Sequence, residues 1–195
     1  MNAKTISFTL MMGALGNVLF VISYYAGNLA PGIALDFSLI AAFIAGFYGG
    51  PLIGLVSGLF VGIMPGIMFG PLGMSAWLGL IGLPIGKALT GLTAGFLYKK
   101  LGISNSPRPS TLTVPVILLS YIPECFFTIT YFLYMVLYAY GYAMAFMIPI
   151  IIPKAWIEIA LMSLVMGALA GNTGFKEFAL RFLQPTKLQK VVAKE

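Results

Sequence analysis

The sequence predicts an all-α integral membrane protein, a bundle of six transmembrane helices with the N- and C-termini in the cytoplasm. The chain has 195 residues, of which 60% are hydrophobic and 8% are charged, whereas about 25% of the residues of a soluble protein are charged. A spanning helix needs roughly 20 mainly apolar residues, so the chain has the length for six helices and their turns. Regularly spaced glycines and basic residues on one side of the predicted bundle also indicate membrane helices.

The predicted helices belong to a single transmembrane domain that covers residues 1–195. They span about 5–26, 33–49, 51–65, 75–98, 112–140 and 149–171, and a cytoplasmic tail follows at 172–195. Residues that end helices mark the turns, at Asn28 to Gly32, Gly50-Pro51, Pro65 to Gly73, Gly102 to Ser110 and Gly141-Tyr142. The first apolar run follows only Lys4 and contains no small-residue cleavage site, so we expect a retained helix rather than a signal peptide.

Two of the predicted helices depart from the usual length. The third, over 51–65, is short, and the segment PGIMFGPLG that ends it has the features of a re-entrant loop, which is tolerated where protein or water covers its backbone. The fifth, over 112–140, is long, so we expect it to tilt or to extend into an outer loop.

Basic residues predict the orientation of the bundle. Lys4 precedes the first helix, and Lys99, Lys100 and Arg108 follow the fourth. The remaining basic residues outside the helices follow the sixth: Lys176, Arg181, Lys187, Lys190 and Lys194. With six helices all of these lie on one side, which the positive-inside rule assigns to the cytoplasm of a multi-pass cell-membrane protein. The stretch KEFALRFL, 176–183, is either a short interfacial helix or an ordinary cytoplasmic tail.

A glycine occupies every fourth position from Gly46 to Gly70, from the end of the second predicted helix to just beyond the third. These glycines are Gly46, Gly50, Gly54, Gly58, Gly62, Gly66 and Gly70. In a water-soluble helix each would cost about 1 kcal/mol relative to alanine, but in a bilayer the backbone has no alternative hydrogen-bond partner and the helix persists. Small residues at this spacing allow another backbone to approach closely. We therefore predict that Gly54, Gly58 and Gly62 permit close packing or sliding of the third helix.

Five charged residues lie within or at the ends of the predicted helices, where each needs a partner or water and is a functional hypothesis by default. Lys87 and Glu124 fall near the membrane midplane, either as a structural pair or as part of an ion path. Lys154 and Glu158 are four residues apart on the sixth helix and can neutralise each other. Asp36 opens the second helix, where a carboxylate is favourable even without a ligand.

Aromatic residues collect near the outer ends of the helices. On the fifth helix a polar and aromatic stripe follows the helical period, at Tyr121, Glu124, Thr128, Tyr131 and Tyr138. An aromatic belt at the membrane surface explains many of these rings. Together with the outer charges, however, they suit a pocket for a small, flat, polar compound. The candidate substrate-binding residues are Asp36, Trp77, Glu124, Tyr131, Tyr138, Lys154 and Glu158.

The composition argues against an enzyme. The chain has no histidine and a single cysteine, Cys125, which removes Ser-His, metal-His and paired-thiol chemistry. The segment GLPIGKAL, 82–89, departs from a phosphate-binding loop because residue 81 is isoleucine and residue 88 is alanine. We therefore expect no catalytic residue, no metal, no cofactor, no ATPase site and no nucleic-acid partner.

Residues 1–70, which include the first three predicted helices, carry a family resemblance. A basic N-terminus and the helix TISFTLMMGALGNVLF are followed, after an outer loop, by DFSLIAAFIAGFYGGPLIGLVSGLF. This arrangement, most specifically over 36–62, resembles the substrate-binding S components of energy-coupling factor (ECF) vitamin transporters. The resemblance implies a six-helix bundle with a vitamin or metal site near the outer face, walled by helices four to six and the outer loops. It also implies a transmembrane coupling subunit and two ATPase subunits as partners.

The chain departs from this family in two places. In the family, an Ala-x-x-x-Ala stripe on the first helix contacts the coupling subunit, whereas the nearest matches here are Ala3 with Ser7 and Thr9 with Gly13. The histidine-bearing N-terminus of the nickel and cobalt members is missing, so an organic substrate fits better than a metal.

The sequence thus predicts a membrane substrate-capture subunit of an ATP-driven uptake transporter, which binds a small organic micronutrient, a vitamin or precursor, at the outer face. The alternative is a self-sufficient small channel or secondary carrier that uses the midplane charges Lys87 and Glu124. A third interpretation is a membrane assembly or scaffold protein. The sequence does not name the substrate.

Overall fold

The computed structural model describes residues 3–30, 33–73, 75–131, 133, 138 and 148–183, which are mostly helical. The N-terminal half contains α1 (Ala3–Ala26), the short strands β1 (Asn28–Ala30) and β2 (Ile33–Ala34), α2 (Leu39–Ile44) with a π-helical turn (Ala45–Gly49), α3 (Pro51–Val61) and α4 (Ile63–Phe69). The rest contains α5 (Ala76–Lys100), a 3-10 turn (Ile103–Asn105), α6 (Pro109–Ser120), α7 (Ile122–Thr130), α8 (Ile148–Gly171) and α9 (Thr173–Leu183). The two strands pair antiparallel as a hairpin.

Five stretches of helix within the described residues are long and apolar enough to cross a membrane. They are Ala3–Ala26, Pro51–Phe69, Trp77–Lys100, Pro109–Thr130 and Ile148–Gly171. The predicted second helix, 33–49, is helical only from Leu39 to Gly49, a length that rises about 16 Å against a hydrocarbon core of about 30 Å. The fold is therefore that of a multi-pass membrane protein, in which the described residues form five long helices and one short apolar helix.

The third predicted helix is longer than expected. Helices α3 and α4 form one run from Pro51 to Phe69 with a turn at Gly62, so most of the segment predicted as a re-entrant loop is helical. Asn17 of α1 stabilises this turn, because its Nδ2 donates to the Phe60 carbonyl at 2.9 Å and its Oδ1 accepts from the Met64 N–H at 2.8 Å. A polar side chain of one helix thus satisfies backbone groups that the turn leaves free.

The fifth predicted helix, 112–140, is divided by a break at Tyr121 between α6 and α7. Pro123 has no N–H with which to continue the hydrogen-bond ladder, which accounts for a break at this point. Helix α7 ends at Thr130. The turn predicted at Gly141-Tyr142 lies outside the described residues.

Helix α5 is the centre of the bundle, since it contacts α2, α3, α4, α6 and α7. Its closest neighbour is α3, and the two backbones meet at glycines. A Cβ added to Gly54 would collide with the Gly91 carbonyl, and one added to Gly58 would collide with the Lys87 carbonyl. A Cβ added to Gly62 would meet the backbone of Pro84 in the same way. We call this contact of α3 with α5, centred on these glycines, the glycine seam.

Helix α9 packs across the end of the bundle where α5 finishes. Its Phe175 ring meets the Tyr48 ring edge-on at 5.8 Å, and its Phe182 ring lies 6.4 Å from that of Phe8. Lys176 Nζ donates to the Ser104 carbonyl at 2.7 Å, which ties α9 to the turn after α5. The segment 176–183 is thus part of a helix that packs against the bundle, rather than an extended tail.

A single added methyl group tests the glycine seam. Gly54→Ala should lower the free energy of unfolding by about 1–3 kcal/mol, because its Cβ has no space against the α5 backbone. The matched control is Gly174→Ala, at an exposed position of α9. The nearest atom to a Cβ added there is in the Asn172 side chain, at 3.3 Å. That variant should be neutral or slightly stabilising. Thermal unfolding in detergent measures both, and equal midpoints for the two variants would contradict the seam.

Candidate functional site

Four charged side chains form one connected network inside the bundle. Lys87 Nζ donates to Asp36 Oδ2 at 2.6 Å and to Ser38 Oγ at 2.8 Å. Glu158 Oε1 accepts the Asp36 backbone N–H at 2.7 Å and pairs with Lys154 Nζ at 3.1 Å. The network joins the entrance of α2 to the middle of α5 and to α8.

Local structure directs each of these groups inward. Asp36 lies just before α2, and its Oδ1 accepts the Ser38 N–H at 2.9 Å, a turn that leaves Oδ2 free to face α5. The Lys87 side chain is only 3% exposed. A lysine at that depth must be paired, since transfer of an isolated ammonium from water costs several kcal/mol. Asp36 and Ser38 supply that pairing.

Glu124 lies beside the network but is not hydrogen-bonded to it. It is on α7, is 7% exposed, and accepts a short hydrogen bond from the Thr90 hydroxyl to its Oε2. Thr90 is one turn along α5 from Lys87. The direct pair of Lys87 with Glu124 that the sequence suggested is not the one observed, because Asp36 reaches the Lys87 ammonium whereas α7 seats Glu124 against Gly86 and Thr90.

The aromatic candidates divide into two groups. Tyr131 lies within the bundle, where its ring contacts Gly82 of α5 and stacks on Phe127 at 5.2 Å and 19°. Its hydroxyl donates to the Leu78 carbonyl at 3.1 Å. Trp77 is 71% exposed and Tyr138 is 97% exposed. Neither exposed ring is brought to the charged network, so both suit the aromatic-belt interpretation better.

Sequence reasoning missed several polar partners of the network and one aromatic pair beside it. Ser38 accepts a hydrogen bond from Lys87, and Thr90 donates one to Glu124. The only indication of these roles in the sequence is that each residue lies close along the chain to a charged residue. Buried Tyr121 meets the Trp156 ring edge-on at 5.2 Å. These two rings join α6 to α8 close to Glu158, which is two residues from Trp156.

The small residues of α1 face two different ways. Gly13 packs against Phe60 of α3 and Thr9 is buried, so neither is open to another subunit. Ala3 and Ser7 are exposed. Of the two motif matches in the sequence, the structure therefore leaves only Ala3 with Ser7 accessible to a partner.

Two open cavities in the described part of the chain lie away from the charged network, beside α9. One, of about 280 Å³, has an entirely apolar lining that includes Phe8, Met12 and Phe182. The other, of about 390 Å³, is lined by Tyr48, Tyr98 and the turn after α5. Within the described residues, no group of three histidine, cysteine, aspartate or glutamate side chains is placed to hold a metal ion.

Comparison of the chain with protein-family models, with curated proteins and with solved structures gives no match.

The ion pair of Lys87 with Asp36 can be tested through stability. Lys87→Met should cost about 3–5 kcal/mol, because it leaves the Asp36 carboxylate without its cation in a buried position. Lys87→Met combined with Asp36→Asn should recover most of that loss, since neither member of this pair is then left charged without its partner. Thermal unfolding in detergent of the two single variants and the double variant measures the coupling.

The control for this cycle is Arg181→Gln, which breaks the exposed Arg181–Glu177 pair on α9. Exposed pairs contribute little, so its midpoint should barely move. A Lys87→Met variant as stable as Arg181→Gln would show that the buried pair does not matter to the fold.

Proposed function

We propose that this chain is the substrate-capture subunit of an ATP-driven uptake transporter of the ECF type, and that it binds a small organic micronutrient, a vitamin or precursor, from the outer side. The observation that carries the proposal is the charged network of Asp36, Lys87, Lys154 and Glu158 inside a mainly apolar helical bundle.

Stability alone does not explain such a network. Well-packed apolar residues in place of a buried ion pair are often neutral or stabilising, because burial strips the charges of water. A chain with 8% charged residues that still keeps five of them inside its bundle, Asp36, Lys87, Glu124, Lys154 and Glu158, therefore favours a binding role for them. Asp36 follows the β1–β2 hairpin directly, so the network begins at a loop and continues into the bundle. That is a route by which a polar ligand could reach it.

In the proposal, the chain does not itself drive transport. Its one glycine-lysine segment, around Lys87, departs from the phosphate-loop pattern and is helical. Energy would have to come from partners, which in the proposed assembly are a transmembrane coupling subunit and two ATPase subunits. Exposed Ala3 and Ser7 on α1 are the small residues available for close contact with the coupling subunit. Membrane lipid would surround the remaining apolar surface.

A channel or secondary carrier is the second candidate, and the position of Glu124 favours it. This carboxylate is buried within the bundle, and Thr90, which donates a hydrogen bond to it, is one turn of α5 from Lys87. Ionisable groups buried in this way are typical of ion and proton paths. Against this candidate, Lys87 is engaged by both Asp36 and Ser38 and would have to leave them to take part in conduction.

Ligand-dependent stability tests the proposal. The detergent-purified protein, heated with each of a panel of water-soluble vitamins and precursors, should be stabilised by one of them. A ligand at 100 times its dissociation constant adds about 2.7 kcal/mol. Asp36→Asn or Glu158→Gln should abolish the shift, because both change the network, while Glu177→Gln on the surface of α9 should keep it.

Reconstitution separates the two candidates. In vesicles that contain this chain alone, a capture subunit should bind its substrate without accumulating it, whereas a channel or carrier should carry ions or solute across. Rapid ion flux that is lost on Glu124→Gln, with no ligand shift across the panel, would overturn the capture proposal.

The proposed orientation, with both termini in the cytoplasm, is tested by labelling single cysteines. In a Cys125→Ala background, Leu72→Cys and Asn105→Cys place a thiol at exposed sites on opposite predicted sides. An impermeant maleimide should label Leu72→Cys in intact cells and Asn105→Cys only after permeabilisation. The reverse result would invert the topology and remove the outward-facing site.

A further inference from the structure

The charges inside the bundle do not balance. Three carboxylates lie there, those of Asp36, Glu124 and Glu158, against the two ammonium groups of Lys87 and Lys154. Each lysine is paired, Lys87 with Asp36 and Lys154 with Glu158. One carboxylate, Glu124, is therefore left without a cation of its own among the described residues.

Glu124 has one hydrogen-bond partner where an ionised carboxylate accepts several. Thr90 donates to its Oε2, and its Oε1 accepts no hydrogen bond from the part of the chain that the structure describes. The field of Lys87 reaches Glu124, but that ammonium is held by Asp36 at 2.6 Å. Because Glu124 is more than nine-tenths buried as a residue, an ionised carboxylate at this position needs a positive or proton-donating partner.

No other basic residue of the bundle is placed to supply that partner. The remaining basic residues of the described chain lie towards the α9 end or in the turn after α5: Lys4, Lys99, Lys100, Arg108, Lys176 and Arg181. The nearest of them along α5, Lys99, is about 18 Å from Lys87 along the helix axis. The stretch 132–147, which continues the chain after α7, contains no lysine, arginine or histidine. The basic residues of 184–195 follow α9.

The surroundings of Glu124 suit a cation with an apolar body. Phe127 and Tyr131 lie about one and two turns further along the same face of α7, with their rings stacked. This face packs on glycines of α5, Gly82 under Tyr131 and Gly86 under Glu124. A carboxylate next to stacked aromatic rings attracts a positive group both by its charge and through the ring faces.

We propose that Glu124 is the counter-ion for a singly charged organic cation, and that the substrate of this protein is therefore a monocation rather than a neutral or anionic compound. The proposal rests on the proposed function, since it names the chemical class that the capture site takes. The positive group lies against Glu124 Oε1, with Thr90 holding Oε2, and the rest of the compound lies along Phe127 and Tyr131.

The test uses three vitamins of different charge with the purified full-length protein: thiamine, a permanent cation; riboflavin, which is neutral; and pantothenate, an anion. Thermal shift and equilibrium binding should find affinity for thiamine or for other cationic compounds added to the panel, and none for the other two. Glu124→Gln keeps the size of the side chain and removes its charge. It should weaken cation binding at least tenfold, while Glu177→Gln leaves the affinity unchanged.

Other outcomes are decisive as well. If Glu124→Gln fails to fold, Glu124→Asp, which keeps the charge, and Thr90→Val, which removes the hydroxyl partner, should each weaken cation binding and spare the fold. Tight binding of riboflavin or pantothenate, or cation binding that Glu124→Gln leaves intact, would overturn the monocation proposal and leave the capture function standing. No binding by any compound would overturn the capture function, and this proposal with it.

Discussion

The close contact of α3 with α5 is the constraint on which the rest of the structure depends. Gly58 faces the backbone of Lys87 and Ala88, so there is no room there for a side chain. The same stretch of α5 sends the Lys87 side chain to Asp36 and the Thr90 hydroxyl to Glu124. One segment of the α5 backbone therefore determines both the packing on α3 and the positions of the Lys87 and Thr90 side chains. A shift of that backbone by the width of a methyl group would break the 2.6 Å contact with Asp36, and this explains why glycine rather than alanine stands at the seam.

Features that depend on short separations along the chain could be read from the sequence. The apolar helices, the glycine spacing and the Lys154–Glu158 pair are all set by residues within a few turns of one another. Contacts between distant segments could not be read in this way. Lys87 meets Asp36 across 51 residues and Asp36 meets Glu158 across 122. Helical periodicity gives the face on which a residue lies, but it does not give the neighbour that this face meets.

Two differences between the predicted and the observed structure have the same cause, the ion pair of Lys87 with Asp36. The second helix was predicted from residue 33, yet it begins at Leu39 because Asp36 is held by Lys87 and by the Ser38 N–H in a turn before the helix. The same ion pair takes Lys87 away from Glu124. The exposed aromatic candidates raise a separate question. Trp77 is a residue type expected in a substrate-binding site, but an exposed ring at a helix end is equally stable in the membrane interface.

The way in which the network is built bears on how a capture subunit could respond to its substrate. Glu158 of α8 holds a backbone N–H rather than a side chain of Asp36, so the path of the chain between the β1–β2 hairpin and α2 is set by a carboxylate on a distant helix. A cation that came to lie against Glu124 would add positive charge next to Lys87, whose attraction to Asp36 keeps that turn in place. Binding would then affect the position of the hairpin while the glycine seam stays in place, because the seam is held by backbone packing and not by charge. On the proposed function, the substrate site and the hairpin before α2 are thus coupled through three residues, Lys87, Asp36 and Glu158, while α3 and α5 move as one body.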